Sequence, residues 1–220
     1  DQTYALYNLT QEQLSHTLLP IGDYTKDQVR EIASKIGITV ARKPDSMEIC
    51  FIPDNDYAGF ITRETGYTSV PGNFIDVNGN VIGRHQGIIH YTDGQRKGLG
   101  VALNYPAYVQ HIDAKNNLVV LAKNDDLNSN ALIADDFVWP AGIEPSEPVE
   151  ALVKIRLASR PAAAIVEKYV PSEDDKTVYS GTPWKITFKE PQRAVAPGQS
   201  AVLYIDGVIR GGGVISRTIE

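Results

Sequence analysis

Cysteine and methionine occur once each in this 220-residue chain, and the cysteine is Cys50. A single cysteine excludes an internal disulfide framework and any cysteine cluster that would bind a metal within this chain. Long apolar runs are also absent, because none approaches the roughly 18 residues that span a bilayer. The start of the sequence has neither the basic nor the apolar region of a secretion signal. We therefore expect a folded, cytoplasmic protein that does not insert into a membrane.

Three motifs that mark nucleotide or hydrolase sites are missing: Gly-x-x-x-x-Gly-Lys-Ser/Thr, Gly-x-Gly-x-x-Gly at a strand-to-helix junction, and Gly-x-Ser-x-Gly. Four histidines show no metal-ligand spacing, and one cysteine is too few to complete a ligand set with them: His16, His85, His90 and His111. We expect neither a metal site nor a self-contained nucleotide site in this chain.

Basic residues are outnumbered in most of the chain, and the net charge is -6. Residues 1–150 carry 11 basic against 20 acidic side chains, whereas residues 151–220 carry 10 against 7. The overall charge argues against a general nucleic-acid binder. The basic excess of the last third leaves RNA binding open there, with a solvated surface as the alternative.

The first 40 residues predict two short helices, each with a capping box. Thr10 with Gln13 begins the first, which Pro20 would stop, and Thr25 with Gln28 begins the second. The second helix carries apolar residues at helical spacing and ends at a glycine: Val29, Ile32, Ala33, Ile36 and Gly37. Such helices bury too little apolar area to stand alone, so we expect them to pack on a sheet from another part of the molecule.

Residues 54–66 predict a third short helix, and the Pro71-Gly72 pair marks a boundary. Beyond it the apolar period changes to two. Two hairpins are expected first, at residues 74–84 and 108–122. Six strands follow at regular spacing and suggest a closed antiparallel barrel: residues 131–138, 149–157, 163–170, 184–188, 201–205 and 208–216.

Cys50 is the first candidate for chemistry. Lone cysteines are usually small buried hydrophobes, and Ile49 and Phe51 would suit that interpretation. The opposite interpretation is a reactive thiol in an ordered loop between Pro44 and Pro53, with cationic side chains nearby in sequence that favour the thiolate.

The glycine-rich segment 94–100 is the second candidate. Its three glycines let the backbone approach a ligand, and Arg96 with Lys97 offers adjacent cations for phosphate. A solvated turn is the alternative. A further glycine run, residues 211–213, is better explained as a bulge or close barrel packing than as a phosphate site, because strand-like residues follow it.

Six segments together resemble one family, the bacterial tRNA-specific 2-thiouridylases. They run in family order from the first residue almost to the last: DQTYAL at 1–6, LTQEQL at 9–14, KPDSMEICFIP at 43–53, GQRKGLG at 94–100, EPQRAVAPGQ at 190–199 and GGGVI at 211–215. The Cys50 segment and the Pro-Gly-Gln segment are the most specific of them.

The resemblance implies a mainly β protein with some α structure. Residues 1–68 would be a helical, carboxyl-terminal remnant of an α/β ATP-pyrophosphatase domain, residues 69–128 a small β-rich central domain, and residues 129–220 an antiparallel, tRNA-binding β-barrel. The family's Ser-Gly-Gly-x-Asp-Ser loop and its first catalytic cysteine have no counterpart here. The chain is thus expected to be a fragment, or a partner of a separate ATP-binding half, and inactive without that half.

The resemblance also implies the chemistry. ATP with Mg²⁺, bound outside this chain, adenylates O2 of the wobble uridine (position 34) of tRNA. Cys50 aligns with the cysteine that carries sulfur as a persulfide, whose attack on C2 releases AMP and gives 2-thiouridine. The implied partners are tRNAs of the Lys, Glu and Gln type and a sulfur-relay or cysteine desulfurase protein.

Matching positions imply tRNA contacts at Asp1 and Gln2, at Arg156 with Leu157 on a barrel strand, and at Gln199. Leu157 stands where an aromatic residue is expected beside the arginine. Further cations are candidates for phosphate contact: Arg96, Lys97 and Arg193. Two alternatives remain, a non-catalytic RNA-binding barrel module of the translation-factor type with a structural Cys50, and an ordinary interaction domain.

Overall fold

The computed structural model describes residues 2–41, 49, 51–52, 54–173, 175 and 179–219, except for the side chain of Gln2. Its contacts divide the chain into two units. One unit is Ser15–Thr68, and the larger unit combines the residues up to Leu14 with those from Ser69 onward. The division into three domains at residues 68 and 128 stays a prediction.

Capped α-helices form the amino-terminal part of the described chain: α1 (Gln11–Ser15), α2 (Lys26–Lys35) and α3 (Tyr57–Thr65). Both capping boxes form as the sequence predicts. The Thr10 amide donates to Gln13 Oε1 at 2.9 Å, and Thr10 Oγ1 accepts from the Gln13 amide at 3.2 Å. Thr25 and Gln28 repeat this pair of bonds at 2.8 and 3.4 Å. Each box satisfies two amides that a helix start leaves unpaired.

The first helix is shorter than the sequence predicts, because α1 ends at Ser15 and not at Pro20. None of its residues is buried, and a helix of little more than one turn gains too little without packing to propagate. The other two helices end as expected. α2 is followed by Gly37 at φ +80°, and α3 ends at Gly66 at φ +69°, left-handed conformations that glycine adopts without strain.

The apolar face of α2 remains exposed within its own unit. No residue of α2 is buried, and the exposed fractions of Ile32 and Ile36 are 40% and 69%. Leu18, between α1 and α2, is 88% exposed. The expectation that these helices pack on a sheet from another part of the molecule stays a prediction.

A four-stranded sheet, here called the central sheet, begins the larger unit after Ser69. Its order is β2-β1-β4-β3, with strands β1 (Gly72–Ile75), β2 (Val81–His85), β3 (Tyr108–Asp113) and β4 (Leu118–Ala122). Both predicted hairpins are present, one formed by β1 and β2 and the other by β3 and β4. Parallel pairing of β1 with β4 joins the two hairpins into one sheet. Phe74, Val109, Val119 and Leu121 form the centre of its core.

A closed antiparallel barrel follows, as the sequence predicts, in the order β10-β5-β8-β7-β6-β9. Its strands are β5 (Asn128–Val138), β6 (Val149–Lys154), β7 (Ala162–Lys168), β8 (Trp184–Arg193), β9 (Ser200–Ile205) and β10 (Val208–Ile219). Burial alternates along β6 and the first half of β8, so that side chains such as Val153, Trp184 and Ile186 fill the interior.

The architecture is therefore mostly β with few helices, a central sheet and a carboxyl-terminal barrel, which confirms the fold class. β6 is shorter than predicted, and this changes the position of one candidate site. Among the described residues, no helix has the length and apolar character needed to cross a membrane.

Candidate nucleic-acid interface

The amino-terminal segment is attached to the barrel through two tyrosines. Residues Gln2–Leu6 form a 3-10 helix. The Tyr4 hydroxyl donates to the Ser200 carbonyl at 2.6 Å, and Ser200 Oγ donates to the Tyr7 hydroxyl at 3.1 Å. Both rings are buried against Val202 on β9. The chain segment that carries Gln2 is therefore held beside the start of β9.

The glycine run of β10 makes room for this attachment. A Cβ atom on Gly212 would lie 2.5 Å from Cδ2 of Tyr7 and 2.9 Å from the Ala201 carbonyl oxygen. Side chains do not tolerate such approaches, so only glycine lets the Tyr7 ring lie against the barrel backbone. This confirms close packing as the explanation of residues 211–213.

Arg156 lies near the same end of the barrel. Antiparallel pairing of β6 with β9 places Lys154 opposite Val202, two residues after Ser200, and Arg156 follows Lys154 by two residues along the chain. The Lys154 ammonium also lies 5.6 Å from the centre of the Tyr4 ring, which is within the range of a cation–π contact.

The expectation that Arg156 and Leu157 belong to a barrel strand is wrong, because β6 ends at Lys154. Arg156 lies in the bend that follows, where its carbonyl accepts from the Ser159 amide at 3.1 Å and from Ser159 Oγ at 2.9 Å. Its Nη1 donates to the Ala194 carbonyl at 3.4 Å. The two bonds from Ser159 close a turn where the predicted strand would have continued. The Arg156 side chain is partly buried there, and a guanidinium has five N–H donors.

Gln199 and Leu157 have side chains that face solvent. The turn before Gln199 closes with its amide donating to the Ala196 carbonyl at 3.2 Å, and Gly198 has φ +83°. Backbone bonds of 2.8 and 2.7 Å tie Gly198 and Gln199 to Ile215 on β10. Leu157 is 53% exposed and offers an apolar contact, but no ring on which a base could stack. We call Tyr4, Lys154, Arg156 and Gln199 the barrel-end cluster.

A second group of cations meets on one aromatic ring. The guanidinium carbons of Arg193 and Arg96 lie 4.8 and 6.0 Å from the centre of the Tyr108 ring. Arg193 Nε also donates to Asn124 Oδ1 at 2.7 Å, which fixes its orientation. The structure thus unites arginines from two sequence motifs about 100 residues apart. We call Arg96, Tyr108 and Arg193 the Tyr108 cluster.

Backbone contacts explain why these two motifs meet. The Gly94 amide donates to the Val109 carbonyl at 2.7 Å, so the glycine-rich segment runs along the edge of β3. A Cβ atom on Gly94 would lie 3.2 Å from that of Ala194. Lys97, in the same segment, is exposed to solvent. Three of the predicted phosphate-contact residues are therefore near one another on the larger unit.

The Tyr4 side chain of the barrel-end cluster is neutral near neutral pH. Burial, with a smaller contribution from Tyr7, raises the pKa of Tyr4 to about 12. The Tyr4 hydroxyl therefore keeps the proton that it donates to Ser200 throughout the neutral pH range. The positive charge of Lys154 beside the ring is compatible with an anionic ligand nearby.

Cys50, Asp1 and the side chain of Gln2 lie outside the described residues, so the structure gives no position for these three candidates. The residues after Cys50 are described in part. The Phe51 ring centre lies 5.4 Å from that of Phe60 on α3, and Ile52 is 3% exposed.

The glycine-rich segment, residues 94–100, does not have the form of a nucleotide-binding loop. It leads into irregular backbone and then β3, whereas a nucleotide loop opens a helix whose amides bind the phosphates. Within the described part of the chain, no group of three or more His, Cys, Asp or Glu residues could hold a metal ion.

Sequence reasoning missed several residues of these clusters and of their immediate surroundings. Tyr4, Tyr108 and Asn124 act through partners far away in sequence, and no local pattern identifies such partners. Lys154 had a usable signal, because it is a cation at an outward position near the end of a predicted strand, two residues before Arg156.

Family models match most of the chain. Residues 1–54 match a model described as the tRNA methyl transferase HUP domain, and residues 59–123 match the tRNA methyl transferase PRC-barrel domain. Residues 129–215 match the aminomethyltransferase beta-barrel domain. The third match covers the barrel, and the second covers the central sheet.

Curated proteins named tRNA-specific 2-thiouridylase MnmA are similar over almost the whole chain. That of Lachnoclostridium phytofermentans is 52% identical over 217 residues, 99% of this chain and 58% of that protein. That of Acetivibrio thermocellus is 50% identical over 98% of this chain and 57% of its own length. That of Clostridioides difficile is 47% identical over 100% and 58%. The chain spans less than three fifths of these relatives, and along that length it belongs to the tRNA-specific 2-thiouridylase family.

Proposed function

We propose that this chain is the part of a tRNA-uridine 2-sulfurtransferase that binds tRNA and accepts sulfur. The whole enzyme would convert the wobble uridine of tRNA to 2-thiouridine. The names of the relatives and the tRNA-directed family models support this assignment. Because the chain spans 57–58% of those relatives, the complete reaction belongs to the whole enzyme and not to these residues alone.

One observation carries the RNA-binding part of the proposal, and it is the barrel-end cluster. Segments distant in sequence bring two cations, an exposed amide and the amino-terminal residues to one end of the barrel. Among the described residues, the Arg156 guanidinium has one hydrogen bond, to a carbonyl, which leaves further guanidinium donors for a phosphate. Cations of this kind contribute affinity, and the exposed Gln199 amide can contact a base or a sugar.

The Tyr108 cluster extends the same surface to the central sheet. Stacking on Tyr108 and the bond to Asn124 restrict Arg193, so less side-chain entropy is lost when it binds a phosphate. Arg96 and the exposed Lys97 add two further charges. We propose that both clusters bind the tRNA backbone.

The sulfur chemistry is assigned to Cys50. In this proposal, the ATP-binding part of the enzyme transfers AMP to the uridine O2. The outer sulfur of a Cys50 persulfide then attacks C2, and AMP leaves with the oxygen. The first catalytic cysteine of the family, outside this chain, then attacks the Cys50 sulfur, forms a disulfide with it and releases the transferred sulfur on C2. The sulfur comes from a sulfur-relay or cysteine desulfurase protein.

The proposed substrates are tRNAs of the Lys, Glu and Gln type, and the proposed partner is an ATP-binding half of the enzyme outside these residues. ATP and Mg²⁺ are assigned to that half. The chain alone is expected to bind tRNA but to form no 2-thiouridine.

The RNA-binding part can be tested by the salt dependence of tRNA affinity. Each phosphate that a cation neutralises contributes about 0.9 to the slope of log affinity against log salt on a duplex. Arg156→Gln keeps a donor for the Ala194 carbonyl and removes the charge. We expect it to lower the slope by about one unit over about 50–200 mM salt and to weaken binding of all tRNAs alike.

A matched control is Lys185→Gln on β8, since the Lys185 ammonium already pairs with Glu167 at 3.5 Å. This variant should leave the slope unchanged. An equal slope and affinity for Arg156→Gln and the unaltered chain would remove Arg156 from the interface.

A further inference from the structure

A cavity of about 180 Å³ lies where the central sheet meets the barrel within the larger unit. Its wall includes Asp93 and His111 from one side and Asn128, Ala194 and Thr218 from the other, and we call it the junction pocket. At about 30 Å³ per water molecule, it has room for about six waters or for one planar ring system. His111 and Asn128 are exposed, so the pocket is open to solvent.

Asp93 gives the pocket its chemical character. The Oδ1 atom of Asp93 is buried and has no hydrogen-bond partner among the described residues. Burial raises the pKa of Asp93, and the nearby His111 opposes that effect. A buried carboxylate oxygen without a donor is costly and rare in native proteins, and it calls for a ligand or an ordered water.

The residues next to the pocket carry the opposite charge. Asp93 is three residues before Arg96, and Ala194 in the pocket wall directly follows Arg193. Both arginines lie over Tyr108. Cations suited to phosphate therefore lie within a few residues of two wall residues of the cavity, one of which carries an unpaired carboxylate oxygen. A nucleotide has this combination, with a phosphate outside and a base that donates hydrogen bonds inside.

Base edges differ in how well they match a carboxylate. Guanine presents N1–H and the N2 amino group side by side, which lets it donate twice to one carboxylate. Adenine and cytosine place a ring acceptor beside their amino group, and uracil places carbonyls on both sides of its N–H. A ring acceptor or carbonyl facing Asp93 would repel the carboxylate, so guanine is the base that matches best.

We propose that the junction pocket binds an unpaired guanine of the RNA, with the Asp93 carboxylate accepting from N1–H and the N2 amino group, while Arg96 and Arg193 contact the adjoining phosphates. This inference rests on the proposed function, since it specifies one subsite of the same RNA-binding surface. It adds base selectivity to a surface that otherwise recognises the backbone.

The test compares three pentanucleotides, UUGUU, UUAUU and UUIUU with inosine at the centre, in binding to the unaltered chain. We expect the guanine oligonucleotide to bind about tenfold more tightly than the adenine one, as one bidentate base contact would provide. Inosine, which lacks the N2 amino group, should bind with intermediate affinity. Asp93→Asn should bring the guanine-to-adenine ratio close to one, because it weakens the bidentate contact with guanine and removes the repulsion of the adenine ring acceptor.

The matched control is Asp206→Asn, at an exposed turn whose φ of 52° suits asparagine, and it should keep the ratio. Binding of tRNA without preference among the pentanucleotides would overturn the junction-pocket proposal alone. Failure to bind tRNA at all would overturn the proposed function. If Asp93→Asn does not fold, the ranking of the three oligonucleotides by the unaltered chain still decides the question.

Discussion

His85 shows how a single residue connects segments of the central sheet. It is 2% exposed, and its Nδ1 accepts from the Gly87 amide at 3.0 Å while Nε2 lies 3.2 Å from the Asn117 carbonyl oxygen. A neutral imidazole with its proton on Nε2 satisfies both contacts. A second proton on the His85 imidazole would break the hydrogen bond from the Gly87 amide to Nδ1. Gly87 begins the stretch of chain that continues to Arg96 of the Tyr108 cluster.

Acid should therefore weaken this part of the fold. Burial lowers the pKa of His85 in the folded chain below its ordinary value of about 6.5. The unfolded chain then binds the proton first, so the contribution of His85 to stability is present above about pH 6.5 and is lost as pH falls below it. We expect the free energy of unfolding, from urea titrations, to decrease between about pH 7.5 and 5.5.

The variant His85→Asn should be less stable by about 2 kcal/mol at the higher pH, since it loses hydrogen bonds and packing. Its stability should then depend less on pH over that interval. The exposed His16 provides the control, and His16→Asn should keep the pH dependence of the unaltered chain. An equal pH dependence in His85→Asn would contradict the role given to this imidazole.

Local elements were well specified by local sequence. The Thr-x-x-Gln boxes, the two hairpins and the six barrel strands depend on contacts within a few residues or on an apolar period, and both kinds of signal are visible in one sequence. The Asp76 turn is an example, where Oδ1 accepts from the amides of Asn78 and Asn80 within the hairpin predicted at residues 74–84.

Non-local pairing could not be derived in this way. Nothing local indicates that β1 lies parallel to β4, that β10 closes the barrel between β5 and β9, or that Arg96 and Arg193 share Tyr108. Such contacts depend on which surfaces complement each other after folding. For the same reason, the resemblance named Arg156 and Gln199 as candidates, but their neighbours Tyr4 and Lys154 required the structure.

Elements also differ in how much packing supports them. The Ser15–Thr68 unit leaves apolar residues such as Leu18, Ile32 and Ile36 exposed, whereas the barrel strands surround a core. We expect amide hydrogens of α2 and α3 to exchange much faster than those of the strands from Ala131 onward. The amides near Tyr4 and Tyr7 should be protected with the barrel, because these rings are buried against it.

Hydrogen exchange measured by mass spectrometry checks this expectation on the chain alone. Addition of the proposed ATP-binding half should slow exchange in residues 15–68 selectively. Equal protection of both regions in the chain alone would contradict the expectation that the helices pack on another part of the enzyme.

At the scale of the whole molecule, the net charge of -6 does not argue against an anionic partner, because the basic residues are concentrated in the last third of the sequence. Cations of the barrel-end and Tyr108 clusters occupy the larger unit, so the average charge conceals a surface suited to an anionic partner. In the proposed reaction, this surface would hold the tRNA whose uridine receives the sulfur.

The most direct measurement is 2-thiouridine formation by the complete enzyme, assembled from this chain and its ATP-binding part, with tRNA, ATP, Mg²⁺ and a donor that carries labelled sulfur. The account predicts label on Cys50 and then in tRNA. In Cys50→Ser both should be abolished, because no other residue of the chain supplies a sulfur nucleophile, while tRNA affinity stays within about twofold. Near-normal thiolation by Cys50→Ser would contradict the account and favour a non-catalytic RNA-binding module.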